Sequence, residues 1–166
     1  MNITFDQIGS TDIDSVLGLF KEAAKRINLM NIDHWQYWKN PPLEKVQWVE
    51  EGIKGNEFYF IKVSENDTVG MVRIMQEDIL YWGKQEGKAH YIHSLVVKEK
   101  YNGKGLGAEI INAIAERARE NNCEFLRLDA DANNPKLCNY YKRLGFNKVG
   151  IRKLPLSVYN LYQIKL

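Results

Sequence analysis

One segment restricts this chain more than any other. Leu95-Val96-Val97 reads as an aliphatic strand, and Gly103-Lys104-Gly105-Leu106-Gly107 follows after a short polar connection. From Gly105 to Asn121 the residues Leu106, Ile110, Ile114 and Ala118 then recur at helical spacing, with Glu109, Asn112, Glu116, Arg117 and Glu120 on the other faces. A strand, a glycine-rich loop and a helix in that order form a unit that needs a sheet with a helix packed on it. Glycine lets the backbone adopt positive φ and approach a ligand closely. A helix N-terminus presents unpaired N–H groups and the positive end of a dipole. Together they make an anion site, most often for phosphate, to which Lys104 adds a charge. Three glycines by themselves are equally consistent with a tight turn that binds nothing.

Two phosphate-binding classes are excluded. A P-loop needs Gly-Lys followed by Ser or Thr, and the chain has no such triplet. A dinucleotide fingerprint needs Gly-x-Gly-x-x-Gly after the first strand of a parallel sheet. Here the third spacing is wrong and the loop lies two thirds of the way along the chain.

The rest of the chain predicts alternating elements. Ile3, Phe5 and Ile8 mark a first strand, and a helix with Thr11 and Asp14 as its cap carries Ile13, Val16, Leu17, Phe20, Ala24 and Ile27. The pattern breaks between Asn28 and Asn40. Pro41-Pro42 opens a second helix with Leu43, Val46, Val49 and Ile53 apolar, ended by Gly55. Residues 58–63 and 69–75 form a hairpin around Glu65-Asn66-Asp67, residues 77–88 give no clear signal, and 91–97 is a strand. A strand at 124–129, a helix at 135–144 and strands at 146–149 and 158–164 complete the chain. The order β-α-α-β-β-β-α-β-α-β-β implies an α/β chain with a mixed sheet and helices packed on it, in a single domain over residues 1–166.

Composition narrows the function. A length of 166 residues is enough to bury a core without staples, and 45% hydrophobic with 27% charged residues is ordinary for a globular protein. The net charge of +2 supplies no general pull toward nucleic acid or membrane. No apolar run approaches a membrane span, and the first residues lack a secretory pattern, so a cytoplasmic location is expected. Cys123 and Cys138 suit neither a disulfide scaffold nor a zinc site, so no metal is expected. Four Trp and nine Tyr point to a lined pocket.

The sequence resembles the GNAT superfamily of N-acetyltransferases. The coenzyme A pyrophosphate loop of that family reads Gln or Arg, two residues, Gly, one residue, then Gly or Ala. Asn102-Gly103-Lys104-Gly105-Leu106-Gly107 matches, with Asn102 in place of the Gln or Arg. A second block agrees: Arg127-Leu128-Asp129, Asn134, Leu137, Tyr140-Tyr141 and Leu144-Gly145-Phe146. The likeness covers roughly residues 90–150. It implies the GNAT fold, a mixed and mostly antiparallel central sheet flanked by helices, with acetyl-CoA as donor.

The resemblance also implies roles. Main-chain groups of Leu95, Val96 and Val97 would pair with the pantetheine arm, and an N–H near Leu95 would polarise the thioester carbonyl. Backbone N–H groups from Gly103 to Ala108, with Asn102 before them, would hold the pyrophosphate. Asn134 would cap its helix and touch the coenzyme. Tyr141 would be the general acid that protonates the leaving thiolate. His93 is the candidate base. It matches the second histidine of the His-x-His that arylalkylamine N-acetyltransferases carry in this strand, and period two puts it on the face of Leu95. A buried, pocket-shaping histidine is the alternative. Glu77 and Asp78 fall where relatives place acidic acceptor-site residues, and otherwise form a solvated loop. Trp35, Tyr37 and Trp38 would form an acceptor wall or else an aromatic lid, with Tyr81-Trp82 beside it. Cys138 reads as a small core residue.

The expected activity is acetyl transfer from acetyl-CoA to a primary amine, a small molecule or a peptide, by direct attack in a ternary complex. A coenzyme A sensor with a degenerate acceptor site is the rival, and the retained Tyr141 argues against it. A longer acyl group or a protein N-terminus as acceptor also fits. Nucleic acid and membrane are not expected partners, and a homodimer is left open.

Overall fold

The structure is a computed structural model that describes residues 2–166. Seven strands lie in the order β1-β2-β3-β4-β5-β7-β6. The chain clusters into two compact units, residues 1–73 with 94–107, and 74–93 with 108–166.

In the first unit, β1 (Thr4–Gln7), β2 (Phe58–Ser64) and β3 (Asp67–Met75, mostly in this unit) form an antiparallel set. Helices α1 (Ile13–Leu29) and α2 (Leu43–Lys54) supply its core. Val16, Leu19, Phe20, Ala23 and Ala24 of α1 meet Val49 and Ile53 of α2 over Ile8, Phe58, Met71 and Val96. The entry to α1 differs from the sequence reading. Neither Thr11 nor Asp14 caps it. No side chain caps α1; the Asp12 carboxylate instead accepts from the Gly9 N–H at 2.9 Å and closes the 3-10 turn over Ser10–Asp12 that leads into the helix. Pro42 precedes α2 and Gly55 follows it, as expected for a ring that presets φ and a residue that tolerates a helix end. Gly70 of β3 is a point of close approach: a Cβ there would lie 2.0 Å from the Val96 carbonyl oxygen of β4 (Ala89–Val97).

In the second unit, the first part of β4 pairs in parallel with β5 (Phe125–Asp131), from Ala89 opposite Phe125 to Ile92 opposite Leu128. β5 pairs antiparallel with β7 (Val158–Lys165), and β7 with β6 (Asn147–Lys153). Two features lie between β3 and β4 and at the end of β5. The short helix α3 (Ile79–Trp82) occupies the stretch without a sequence signal. Helix α5 (Pro135–Arg143) starts at Asn134, whose side chain accepts from the Leu137 N–H at 3.1 Å. The long helix α4 (Leu106–Glu120) buries Ile110, Ile111, Ile114, Ala115 and Ala118. Arg127 is buried too, and is fully engaged with the Tyr91 hydroxyl at 2.7 Å, Gln163 at 2.9 Å and the Glu86 carbonyl at 3.3 Å. Among the described residues no helix is long and apolar enough to cross a membrane.

Candidate active site

The glycine loop is built for backbone presentation. A 3-10 turn at Glu99–Tyr101 leaves β4, held by the Tyr101 hydroxyl on the Asp67 carboxylate and by the Lys98 N–H on Val69 O at 2.8 Å. Asn102 is extended, Gly103 has φ +73° and Gly105 φ +74°, and α4 begins at Leu106. A Cβ at either glycine would meet nothing within 4 Å, so neither is glycine for the sake of internal packing. What their positive φ achieves is the turn itself, with exposed backbone on its outer side and the first amides of a helix behind it. This donor set fits a pyrophosphate, and Lys104, exposed on the same loop, adds positive charge. Val96 is buried in the core below, while Leu95 and Val97 are half-buried and the Val97 carbonyl accepts from Arg26 at 2.9 Å.

His93 is the centre of the second cluster. Its Nε2 lies 2.5 Å from Oδ2 of Asp78 and 3.5 Å from Oδ2 of Asp129. The three side chains are 13%, 4% and 11% exposed, so their charges interact largely out of water. Asp78 is also the N-cap of α3, accepting from the Tyr81 N–H at 3.3 Å. Tyr81 packs against the His93 ring at 5.0 Å and edge-on to Tyr159 at 5.1 Å. Burial pushes the Asp129 carboxyl up to about 6; the Asp78 charge adds to this and His93 opposes it. The three ligating atoms lie within 4.8 Å of one another, a spacing that would also admit a cation. The His93–Asp78 contact at 2.5 Å is a charge-assisted hydrogen-bond length.

Tyr141 lies on α5 among Tyr140, Phe146 and Tyr162, with ring centroids 5.7, 6.0 and 6.2 Å away. Its phenol is driven well above the ordinary tyrosine range, first by burial and then by Asp129, Tyr140 and Cys138. It therefore keeps its proton and can only act as a donor. Cys138 is buried with its thiol on the Asp131 carbonyl at 3.4 Å, in keeping with a packing role.

Other sequence candidates fall differently. Trp38 is 3% exposed and stacks on Phe20 at 3.9 Å, which places it in the core rather than on a pocket wall. Trp35 is half-buried with φ +61° and meets Phe20 edge-on, and Tyr37 carries Lys45 over its ring at 4.5 Å. Glu77 is exposed, and its neighbour Asp78 is the acid that reaches His93. Trp82 is buried. The period-two argument tying His93 to Leu95 does not hold, because Ser94 between them has φ +52° and interrupts the alternation. Asp129 and Tyr159 escape sequence reasoning. The available signal for Asp129 is the strand register: one step past Ile92 opposite Leu128 stand His93 and Asp129.

The chain is similar to known proteins in sequence and in fold. The model of the acetyltransferase (GNAT) family matches residues 27–146. The uncharacterized N-acetyltransferase YesJ of Bacillus subtilis is 26% identical over 92% of this chain and 84% of its own. An L-methionine sulfoximine/L-methionine sulfone acetyltransferase of Pseudomonas paraeruginosa is 23% identical over 90% of this chain and 83% of its own. A crystal structure of a GNAT-family acetyltransferase from Listeria monocytogenes superposes with a TM-score of 0.80 at 22% identity, covering 99% of this chain and 95% of that one. The chain belongs to the acetyltransferase (GNAT) family, whose members take their acetyl group from acetyl-CoA.

Proposed function

We propose that the protein transfers an acetyl group from acetyl-CoA to a primary amine, with both substrates bound together and the amine attacking the thioester directly. The observation that carries this reading is the pairing of two opposite proton assignments in one unit. His93 stands between two carboxylates, where it can take up a proton, and Tyr141 is held protonated, where it can only give one.

Acetyl-CoA, when bound, supplies the thioester carbonyl. The loop from Asn102 to Ala108 would hold its pyrophosphate, the main chain at Leu95 to Val97 its pantetheine arm, and the Leu95 N–H its carbonyl oxygen. Asn134, already spent on capping α5, keeps Tyr141 at a fixed place on that helix. His93 accepts a proton from the amine, and Tyr141 donates one to the sulfur. Trp35, Tyr37 and Glu77 remain candidates for acceptor contacts. The small-molecule acceptor is favoured over a peptide by the amino-acid-like substrates named for the Pseudomonas relative. Orientation supplies most of the rate, and the acid–base groups contribute about 10²–10⁴-fold.

The test is a panel of amino acids, amino sugars, polyamines, arylalkylamines and peptides, each with acetyl-CoA, read by free thiol release and by the mass of the acetylated amine. One or more amines should turn over with intersecting initial-velocity lines, and His93→Gln should lower kcat about 10²-fold. Parallel lines would mean an acetyl-enzyme and end the direct-attack reading. Bound acetyl-CoA with no turnover on any amine would favour a sensor.

A further inference from the structure

We infer that Arg152 receives a carboxylate of the acceptor, so that the protein acetylates an amine whose chain carries an acid at its far end. This rests on the proposed acetyl transfer, with the reacting nitrogen at His93. Arg152 determines specificity and takes no part in making or breaking bonds.

One face of the second unit runs from His93 to Arg152. Asp129, which faces His93, and Asp131 lie two residues apart on β5 and so point to the same side of the sheet. Asp131 stands opposite Tyr159 of β7, and Tyr159 stands opposite Arg152 of β6. Directly opposed residues share a face, so Arg152 belongs to the face of His93. Tyr81 of α3 lies over this face, its ring 5.0 Å from that of His93 and 5.1 Å from that of Tyr159. Exposure rises along the line. The His93 side chain is 13% exposed, Tyr81 and Tyr159 are half-buried, and Arg152 is exposed. A path therefore leads from the buried imidazole over two aromatic rings to solvent.

The charge changes sign along this path. Asp78, Asp129 and Asp131 gather at its inner end, where they attract an ammonium. Its outer end carries the Arg152 guanidinium. Nε of Arg152 donates to the Leu80 carbonyl at 2.8 Å, across 72 residues of sequence, and Arg152 forms no ion pair among the described residues. With Nε fixed on α3, the two Nη groups hold a set orientation and can fork onto a carboxylate. An acceptor with one positive and one negative end fits this polarity, whereas a polyamine would set a second cation against Arg152. Three strand spacings separate β4 from β6, which puts their backbones about 14 Å apart. The acid therefore sits several bonds from the reacting nitrogen, and the chain between them lies over Tyr81 and Tyr159.

The probes are 6-aminohexanoate, its amide 6-aminohexanamide, and norleucine, the isomer with its acid beside the amine, each with acetyl-CoA. The wild type should acetylate 6-aminohexanoate with a kcat/KM at least about tenfold above either of the others. Arg152→Gln should lower that kcat/KM about tenfold, chiefly through KM, and leave 6-aminohexanamide within a few fold. Arg152→Lys, which keeps the charge without the fork, should recover part of the loss. A wild type that prefers the amide or norleucine, or makes no distinction, overturns the proposal. So does an equal fall for acid and amide in Arg152→Gln, since that is a structural effect carried through Leu80 and α3. Calorimetric titration of the protein saturated with coenzyme A reads the site without turnover, with 6-aminohexanoate as the titrant. Binding that weakens about tenfold in Arg152→Gln supports the proposal, and no wild-type binding, or equal binding by both, overturns it. If binding depends on Arg152 and no probe is acetylated, the proposed transfer fails and the carboxylate site stands. If the probes react without regard to Arg152, the carboxylate site fails and the transfer stands.

Discussion

Tyr141 and Asp129 share the largest cause of their unusual proton affinities, burial, which acts in the same direction on both acids. For Tyr141 the result is a phenol that rests in its protonated form. Tyr141→Phe should lower turnover about 10²-fold with acetyl-CoA affinity within a few fold, and unchanged turnover would remove it from the mechanism. For Asp129 the result is a dependence of stability on pH. Its folded carboxyl, about 6, lies above its ordinary 3.8, so the fold favours the protonated form. That contribution is fully present below the ordinary value and is lost as pH rises through about 6. Relative to the wild type, Asp129→Asn should therefore gain about 3 kcal/mol in urea unfolding across that window. A difference independent of pH would contradict the burial argument. At this scale the sequence is only partly legible. The loop glycines and Tyr141 stand in a linear motif, so spacing finds them. Asp129 sits in the same motif with no sign of its partner, because His93 comes to it through a pairing 36 residues away in sequence. Trp38 reads as pocket and is core, since stacking on Phe20 depends on how α1 meets the following 3-10 turn.

The elements that position the site are set by backbone constraints more than by side chains. Ser94 holds φ +52° in the middle of β4, a conformation that costs a non-glycine residue about 1 kcal/mol or more. It divides the strand into a part that carries His93 and a part that leads to the loop. Gly70 is glycine because β3 approaches the Val96 carbonyl too closely for any side chain. Gly70→Ala must displace backbone rather than a flexible side chain, and should cost about 3 kcal/mol, or roughly 6–12 °C in Tm. A variant within 2 °C of wild type, roughly the scatter of a silent substitution, would mean the approach relaxes freely. Gly105→Val works differently. Space is open at that position, so the strain lies in φ +74°, and the loop should turn to relieve it, misaligning its amides. Acetyl-CoA binding should fall at least about tenfold while the melting temperature changes little. Helices α1, α2 and α4 are legible because three or more turns of apolar spacing define a face. α3 is not, because its four residues make one turn and its cap, Asp78, is fixed by His93 from another strand.

On the scale of the whole molecule, the chain forms two compact units, yet β3, β4 and α4 each run from one into the other. We read it as one folding domain for that reason, and expect a single cooperative unfolding transition by fluorescence and by circular dichroism alike. Two separated transitions would show that the units fold apart. Most of the residues proposed to hold the donor, Leu95 to Val97 and Asn102 to Gly107, fall in the first unit, and the proposed proton-handling residues His93 and Tyr141 in the second, so binding and chemistry should be separable by mutation. The decisive experiment is calorimetric titration of the folded protein with acetyl-CoA, without acceptor, for the wild type, Gly105→Val and Asp129→Asn. We expect saturable one-to-one binding by the wild type and Asp129→Asn, and its loss in Gly105→Val. No binding by folded wild-type protein at millimolar acetyl-CoA would contradict the donor-site assignment, and would reduce the glycine loop to a turn.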